Sequence, residues 1–138
     1  MFKKKKSQAL NPGKVIKPAA HPNPPSQIEE DIARLLALHY RTTVEFIIPI
    51  DDYKRKSADI IMNGVAWEIK CPIGASKSTI GNQLRWGSKQ SKNIVLDTRH
   101  TKLKFDDIEK RVRSEVNRKS SIKKVVLIDK FEKIIEIQ

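Results

Sequence analysis

The chain has 138 residues, of which 38% are apolar and 32% charged, and this length and composition favour one soluble globular domain with a single core. No apolar run approaches the roughly 20 residues that span a bilayer, so a membrane protein is excluded at this stage. Cys71 is the only cysteine, which excludes a disulfide within the chain and a zinc site built from cysteines.

The net charge of +12 is the strongest global indication of function. Lysine and arginine side chains that neutralise phosphates release condensed counterions, so this charge predicts a nucleic acid as partner and no membrane. The alternative is a basic surface or tail without a specific partner.

Residues 1–25 carry six lysines, five of the seven prolines and no acidic residue. Such a segment buries too little apolar surface to offset the loss of chain entropy, so we predict a flexible, basic, Pro-rich tail followed by one domain over 26–138. The basic start lacks the apolar stretch of about 7–15 residues that a signal peptide needs. We therefore expect no signal peptide of its own and a cytoplasmic location.

Hydrophobic periodicity predicts helices and strands in alternation beyond the tail. The expected elements are a helix that Ser26 caps, a strand within 42–50, a hairpin within 58–71, a helix within 74–92, a strand in 93–99, a helix in 105–120 and one or two strands in 123–138. This order predicts an α/β fold, with a mixed central β-sheet flanked by helices.

The hairpin "ADIIMNGVAWEIKCP" contains Asn63-Gly64 between two alternating strands, which favours a two-residue type I′ turn. That turn pairs Met62 with Val65 and, three positions further along, places Asp59 opposite Glu68. The period of two also places Lys70 on the same face as both acids.

Two opposed carboxylates about 5 Å apart repel each other by roughly 3 kcal/mol at an effective dielectric near 20. A shared proton, the diagonal Lys70 or a divalent cation would each reduce this cost. A cation such as Mg²⁺ or Zn²⁺ compensates both charges and also activates water for phosphodiester hydrolysis. The alternative is an edge hairpin whose charges are solvated.

The segment "ADIIMNGVAWEIK" resembles the PD-(D/E)XK nuclease motif, with Ser57-Ala58-Asp59 in place of Pro-Asp and with Glu68-Ile69-Lys70 matching Glu-x-Lys. The elements from Ser26 to residue 99 are similar to the restriction-endonuclease-like αβββαβ core of that superfamily. Together with "KQSKNIVLD", they also resemble the C-terminal tRNase and nuclease domains of contact-dependent growth inhibition toxins.

The resemblance implies that Asp59 and Glu68 bind the metal and that Lys70 is the catalytic lysine. Such families often add an acid from the first helix, for which Glu29 is favoured over Asp31. In the toxin-like members, a lysine near the end of the next helix lines the site. Here that residue would be Lys89, with Gln83 or Gln90 as a companion.

Two basic stretches are candidates for nucleic-acid binding. Lys54, Arg55 and Lys56 precede Asp59 and would guide a backbone towards the metal, although a solvated loop explains them equally well. Arg85 is the second candidate. Its neighbour Trp86 would stack on a base or, as we expect more strongly, pack in the core.

These observations predict a metal-dependent endonuclease that cleaves RNA, particularly tRNA, rather than DNA. Its resemblance to toxins implies delivery into the cytoplasm as a toxin module and an acidic immunity protein as partner. A DNA endonuclease of the same fold and a non-catalytic nucleic-acid-binding protein remain the alternatives. A metal-free ribonuclease is less favoured, since no histidine lies near the acids in the sequence.

Overall fold

The computed structural model describes residues 13–19, 23–49, 57–118 and 121–138. In chain order the described elements are β1 (Lys14–Ile16), α1 (Gln27–Tyr40), β2 (Thr43–Phe46), β3 (Ile60–Met62), β4 (Val65–Lys70), α2 (Thr79–Gly87), β5 (Asn93–Asp97), α3 (Phe105–Arg118), β6 (Lys124–Ile128) and β7 (Ile134–Ile137). Apart from β1, this order agrees with the sequence analysis.

The seven described strands form one sheet in the order β1 to β7. Strands β4, β5 and β6 are parallel to one another, whereas β2, β3 and β4 are antiparallel neighbours. Strand β1 is parallel to β2, and β7 closes the far side antiparallel to β6. The predicted α/β fold with a mixed central sheet is confirmed.

The sheet separates two apolar cores, because its strands carry buried side chains on both faces. One core lies under α1 and contains Ile32, Leu36, Ile60, Trp67, Ile69 and Val95 among others. The other lies under α2 and α3 and contains Ile80, Leu84, Ile94, Leu96, Ile108 and Val112 among others. The two helical layers therefore flank the central strands on which the predicted site lies.

Helix α1 begins as the sequence predicts. The Ser26 hydroxyl accepts the Glu29 N–H at 3.2 Å, and Glu29 Oε1 accepts the Ser26 N–H at 2.8 Å. This reciprocal capping box satisfies two N–H groups that the first turn would leave without partners. It also fixes the Glu29 side chain at the beginning of the helix.

The prediction of a flexible tail over 1–25 is wrong for residues 14–16, which form β1 and pair with β2. Gly13 precedes them at φ +74°, where a Cβ atom would lie 2.3 Å from the Ala37 carbonyl oxygen. Only glycine fits this approach without strain. Three residues are too few for periodicity to reveal a strand, so composition dominated the prediction.

The hairpin register is confirmed from Met62–Val65 to Ile60–Trp67. Asn63 and Gly64 both take positive φ, at 52° and 75°, as a type I′ turn requires. The alternative of a solvated edge hairpin is wrong, since β3 and β4 lie in the middle of the sheet.

Candidate active site

Asp59 lies one residue before the first paired position of β3. Its backbone N–H still donates to the Trp67 carbonyl at 3.0 Å, while its Oδ2 accepts the Ile69 N–H at 2.7 Å. The carboxylate thus supplies an acceptor to β4 where the antiparallel ladder has ended. Oδ2 of Asp59 therefore accepts a backbone hydrogen bond, whereas Oδ1 is not needed for this contact.

Glu68 lies on β4 opposite Ile94 of β5, and therefore on the face of the sheet that α2 and α3 cover. Only 5% of its surface is exposed. Glu68 Oε2 lies 3.4 Å from Lys70 Nζ, but its Oε1 is buried without a hydrogen-bond partner. An unsatisfied buried carboxylate oxygen is costly, so this atom is available to accept a hydrogen bond or to bind a cation.

Gly87, the last residue of α2, lies next to the stem of Lys70. A Cβ atom on Gly87 would lie 3.5 Å from both Cγ and Cε of Lys70. The aliphatic part of the lysine therefore packs beneath the end of the helix, while its ammonium group lies beside Glu68. The prediction that Lys70 shares a face with Glu68 is confirmed by this ion pair.

The two carboxyl groups influence each other's ionisation. Burial, followed by the negative charge of Asp59, raises the pKa of Glu68 to about 7, and Lys70 opposes this rise. Burial also raises the pKa of Asp59, against the lowering effect of the Ile69 N–H. The two carboxyl groups lie close enough for the charge of Asp59 to raise the pKa of Glu68. A proton or a cation is therefore required to relieve their repulsion.

Glu29 and Asp59 line one cleft of about 240 Å³, together with Pro25, Phe46 and Ile47. The charge of Glu29 contributes to the raised pKa of Asp59, although less than burial does. The other acid considered on this helix, Asp31, accepts hydrogen bonds from Gln27 and Arg34 and lines a different cleft. The structure thus brings Glu29, and not Asp31, to the side of Asp59.

The turn after α2 contains the residues for which the resemblance implied a role. Lys89 is exposed there, and its backbone N–H donates to Trp86. Gln90 Oε1 is buried without a partner, and the Ser91 hydroxyl donates to the Ala66 carbonyl of β4 at 2.8 Å. The turn is therefore tied to the hairpin, but no described contact joins Lys89 to the two acids.

The predicted nucleic-acid residues fall in two places. Lys54, Arg55 and Lys56 lie outside the described residues. Arg85 is exposed on α2, where its Nη1 donates to Asn82 Oδ1 at 3.0 Å. Trp86 beside it is 49% exposed. The expectation that Trp86 packs in the core is therefore wrong, and its ring is accessible for stacking.

The sequence analysis missed a second buried acid, Asp97, at the carboxyl end of β5. Its two oxygens accept from Arg99 Nε at 2.9 Å and Nη2 at 3.0 Å. An acid that ends an apolar strand two residues before an arginine, as in "NIVLDTR", was the available signal. Nearby, burial and then the charge of Asp97 raise the pKa of the Cys71 thiol to about 12, so this thiol stays protonated.

Asp59 and Glu68 fit a hard divalent cation such as Mg²⁺. Both donors are carboxylates, and Glu68 Oε1 has no other partner in its buried position. Within the described ranges, no cluster of three or more histidine, cysteine or acidic side chains could hold a metal. Mg²⁺ is commonly held by one or two carboxylates, with water and substrate phosphate as the remaining ligands.

No helix in the described part of the chain is both long and apolar enough to cross a membrane. A comparison with curated proteins gives no match. Among solved structures, the chain is similar to one described as "CdiA-CT/CdiI toxin and immunity complex from Burkholderia pseudomallei", with a TM-score of 0.54 and 19% identity over 91% of this chain and 99% of the other. At this identity the likeness establishes the fold.

A comparison with protein families finds the contact-dependent growth inhibition CdiA C-terminal domain over residues 56–134. The matched segment covers more than half of the chain and includes the hairpin with Asp59, Glu68 and Lys70. The chain therefore belongs to the CdiA C-terminal toxin domain family.

Proposed function

We propose that this toxin domain is a metal-dependent endonuclease of the PD-(D/E)XK type, with tRNA as its preferred substrate. The observation that carries the proposal is the unpartnered, buried Oε1 of Glu68, which lies next to a second carboxylate and a lysine. A purely structural pair would place both acids in water or neutralise both with basic groups. Here a single lysine faces two acids.

Asp59 and Glu68 would hold the divalent ion, which supplies charge stabilisation and an activated water when it is bound. Asp59 is held in place by the Ile69 N–H, so its free oxygen points in a fixed direction. The rigid strand β4 orients Glu68 in the same way. This preorganisation lowers the cost of bringing the two acids together at the moment of reaction.

Lys70 would bind a non-bridging oxygen of the attacked phosphate and orient the attacking water. Its ammonium group is held near Glu68, and its stem packs along Gly87. A cation at this position stabilises the negative charge that develops on the phosphate. Glu29 borders the same cleft as Asp59 and would bind a water of the metal through its carboxylate.

The net charge of +12 supports a polynucleotide substrate. Arg85 and the half-exposed Trp86 lie on α2, the helix that ends beside Lys70. A strand bound at the acids would therefore have a cationic and an aromatic side chain near it. The preference for tRNA rests on the resemblance to toxin tRNases and is the part that the first experiment tests.

The decisive experiment is cleavage of total tRNA, ribosomal RNA and duplex DNA by the purified protein with Mg²⁺, Mn²⁺ or Zn²⁺. We expect tRNA cleavage that EDTA abolishes and that Glu68→Gln and Lys70→Ala each reduce by at least about 100-fold. Glu109→Gln is the matched control, because this glutamate is paired with Arg113 on the surface of α3. It should retain full activity.

Salt-sensitive RNA binding without cleavage in any metal would contradict the nuclease proposal and favour a binding protein. Cleavage of duplex DNA alone would support the nuclease activity but show that the substrate is DNA and not tRNA. Cleavage that persists in EDTA would exclude the metal-dependent mechanism.

The domain would act after delivery into a target cell, as its family implies, and an acidic immunity protein would neutralise it. The solved structure it resembles is described as a toxin and immunity complex. A negatively charged partner is expected from the charge of this chain. Co-expression with such an immunity protein should protect a host cell in which the active domain alone is toxic.

A further inference from the structure

The turn between β6 and β7 is held in one conformation by its own hydrogen bonds. Asp129 Oδ1 accepts the N–H groups of Phe131 and Lys133, each at 2.8 Å. The Asp129 N–H donates to the Lys133 carbonyl, and the Glu132 N–H donates to the Asp129 carbonyl, both at 3.0 Å. Four hydrogen bonds within five residues leave this turn little conformational freedom.

The same turn is anchored to the interior of the sheet. Glu132 takes a left-handed conformation at φ 65°, which is uncommon for a residue with a side chain. Its carboxylate accepts from Arg99 Nη1 at 3.1 Å, and Arg99 is in turn bound to the buried Asp97. The strained residue is thus fixed by an ion pair that reaches the end of β5.

This rigid support presents Phe131 almost entirely to solvent. The side chain is 91% exposed, more than any other large apolar residue of the described chain. Because the turn is already ordered, the turn itself would lose little conformational entropy when a ligand stacks on this ring. Rigid aromatic side chains at the surface are typical contact points for binding partners.

A groove of about 350 Å³ lies beside Phe131, lined by Lys102, Lys104, Phe105 and Lys130 among others. Within the described residues, none of these three lysines forms an ion pair. Asp129 also lines the groove, and one of its oxygens is bound to two N–H groups of the turn. The groove therefore combines an accessible aromatic ring with three lysines and one acid, which is an excess of positive charge.

The groove and the proposed active site lie at the same end of the sheet. Lys70 ends β4, and the turn follows β6, with β5 between them in a parallel arrangement. Two strand spacings separate the ends of β4 and β6 by about 10 Å, and Glu68 lies level with Val125, about 13 Å along the strand from Asp129. Leu103 and Ile108, which also line the groove, belong to the core under α2 and α3, the face on which Glu68 lies. A polynucleotide of a few nucleotides would span the groove and the proposed active site.

We propose that Phe131 is the stacking platform for one unpaired nucleobase of the substrate, with Lys102, Lys104 and Lys130 binding the phosphates beside it. This inference rests on the proposed nuclease function and specifies its substrate: a polynucleotide with a single-stranded segment near the scissile bond. Stacking is tolerant of base identity, because every base has a π-face. The platform therefore selects for single-strandedness and not for sequence.

The test is binding of a single-stranded 12-nucleotide RNA that carries one 2-aminopurine, measured in EDTA so that no metal-dependent cleavage takes place. Stacking quenches the fluorescence of this base analogue. We expect Phe131→Ala to weaken binding by about 5- to 150-fold and to abolish the quenching, whereas Phe131→Trp retains both. Ile73→Ala is the matched control, since Ile73 is a 76% exposed apolar residue on another loop.

Two further measurements test the phosphate contacts and the strandedness. Replacing Lys102 and Lys104 by alanine should lower the slope of log Kd against log salt by about 1.4, since each phosphate contact on a single strand contributes about 0.7. The same RNA annealed to its complement should bind wild type and Phe131→Ala equally, because its bases are not available for stacking.

The platform is overturned if wild type does not bind the single strand, if Phe131→Ala binds and quenches like wild type, or if Phe131→Ala weakens only the complex with an immunity protein. The last result would assign the ring to that protein interface. Binding is measured without metal, so this test does not depend on cleavage. If the protein binds RNA through Phe131 but cleaves no substrate, the nuclease proposal fails and the stacking proposal stands.

Discussion

Two buried carboxylates, Glu68 on β4 and Asp97 on β5, occupy similar depths and very different surroundings. Asp97 is fully buried, and Arg99 binds both of its oxygens through three N–H groups. Glu68 is 5% exposed, faces a second acid and a lysine, and retains one oxygen without a partner. The strands that carry them are adjacent and parallel.

We interpret this difference as that between an acid with a structural role and an acid with the proposed functional role. A fully hydrogen-bonded ion pair repays the desolvation of its charges within the folded chain. An incompletely paired acid leaves a cost that only an additional cation or proton removes. We therefore expect Asp97 to stabilise the fold. We expect Glu68 to destabilise it, because its unpaired oxygen is kept available for a bound cation.

The largest expected effect follows from breaking the satisfied pair. Arg99→Leu leaves the Asp97 carboxylate buried without its counter-charge, and should lower the free energy of unfolding by about 3–5 kcal/mol. Urea denaturation monitored by tryptophan fluorescence would measure this loss. Arg113→Ala, which removes an exposed partner of Glu109, is the control and should cost at most about 1 kcal/mol. Equal losses in the two variants would contradict the assignment.

The second effect has the opposite sign. The pKa of Glu68 is raised to about 7 in the folded protein, mainly by burial and then by Asp59. The folded state therefore binds this proton more tightly than the unfolded chain does, and the wild type loses stability as the pH rises from about 4.5 through 7. Without metal, Glu68→Gln should be more stable than wild type at pH 8, by at most about 3 kcal/mol.

This advantage should shrink towards zero as the pH falls below about 4.5, where Glu68 becomes protonated in both the folded and the unfolded wild type. Unfolding curves at pH 5, 6, 7 and 8 in EDTA give the profile. Glu109→Gln is the control for replacing a glutamate by glutamine at a more accessible position. If Glu68→Gln is less stable than wild type at pH 8, the acid pair has a structural role.

The third expected effect is the stabilisation that a divalent cation at the proposed site would provide. At pH 8, Mg²⁺ or Mn²⁺ at ten times its dissociation constant should stabilise the wild type by about 1.4 kcal/mol. A thermal shift assay should show this increase in wild type and in Lys70→Ala, but not in Glu68→Gln. In the proposed site, Lys70 would compete with the cation for Glu68 Oε2 and would not itself be a ligand. Loss of the shift in Lys70→Ala alone would contradict the proposed division of roles.

Local patterns determined most of the secondary structure that surrounds the site. Asn63-Gly64 fixed the hairpin register, because few residue pairs adopt two successive positive φ angles. Ser26 and Glu29 fixed the beginning of α1 through contacts within four residues. Such interactions depend on neighbours in the chain, so they can be deduced from sequence.

The strand β1 and the position of the hairpin within the sheet depended on distant contacts. Residues 14–16 become a strand because Gly13 lets them approach the end of α1 and pair with β2. The basic, Pro-rich sequence around residues 14–16 does not indicate a strand. The central position of β3 and β4 likewise requires β5, which comes more than 20 residues later in the chain.

The sequence by itself determined that Asp59, Glu68 and Lys70 share one hairpin and that two like charges there require compensation. Only the tertiary structure decided that Glu68 is buried with an unpartnered oxygen, that Glu29 and not Asp31 borders Asp59, and that Arg99 anchors the turn that exposes Phe131. The alternation of a strand is a local property, whereas burial and charge compensation are set by whichever helices and strands pack against it.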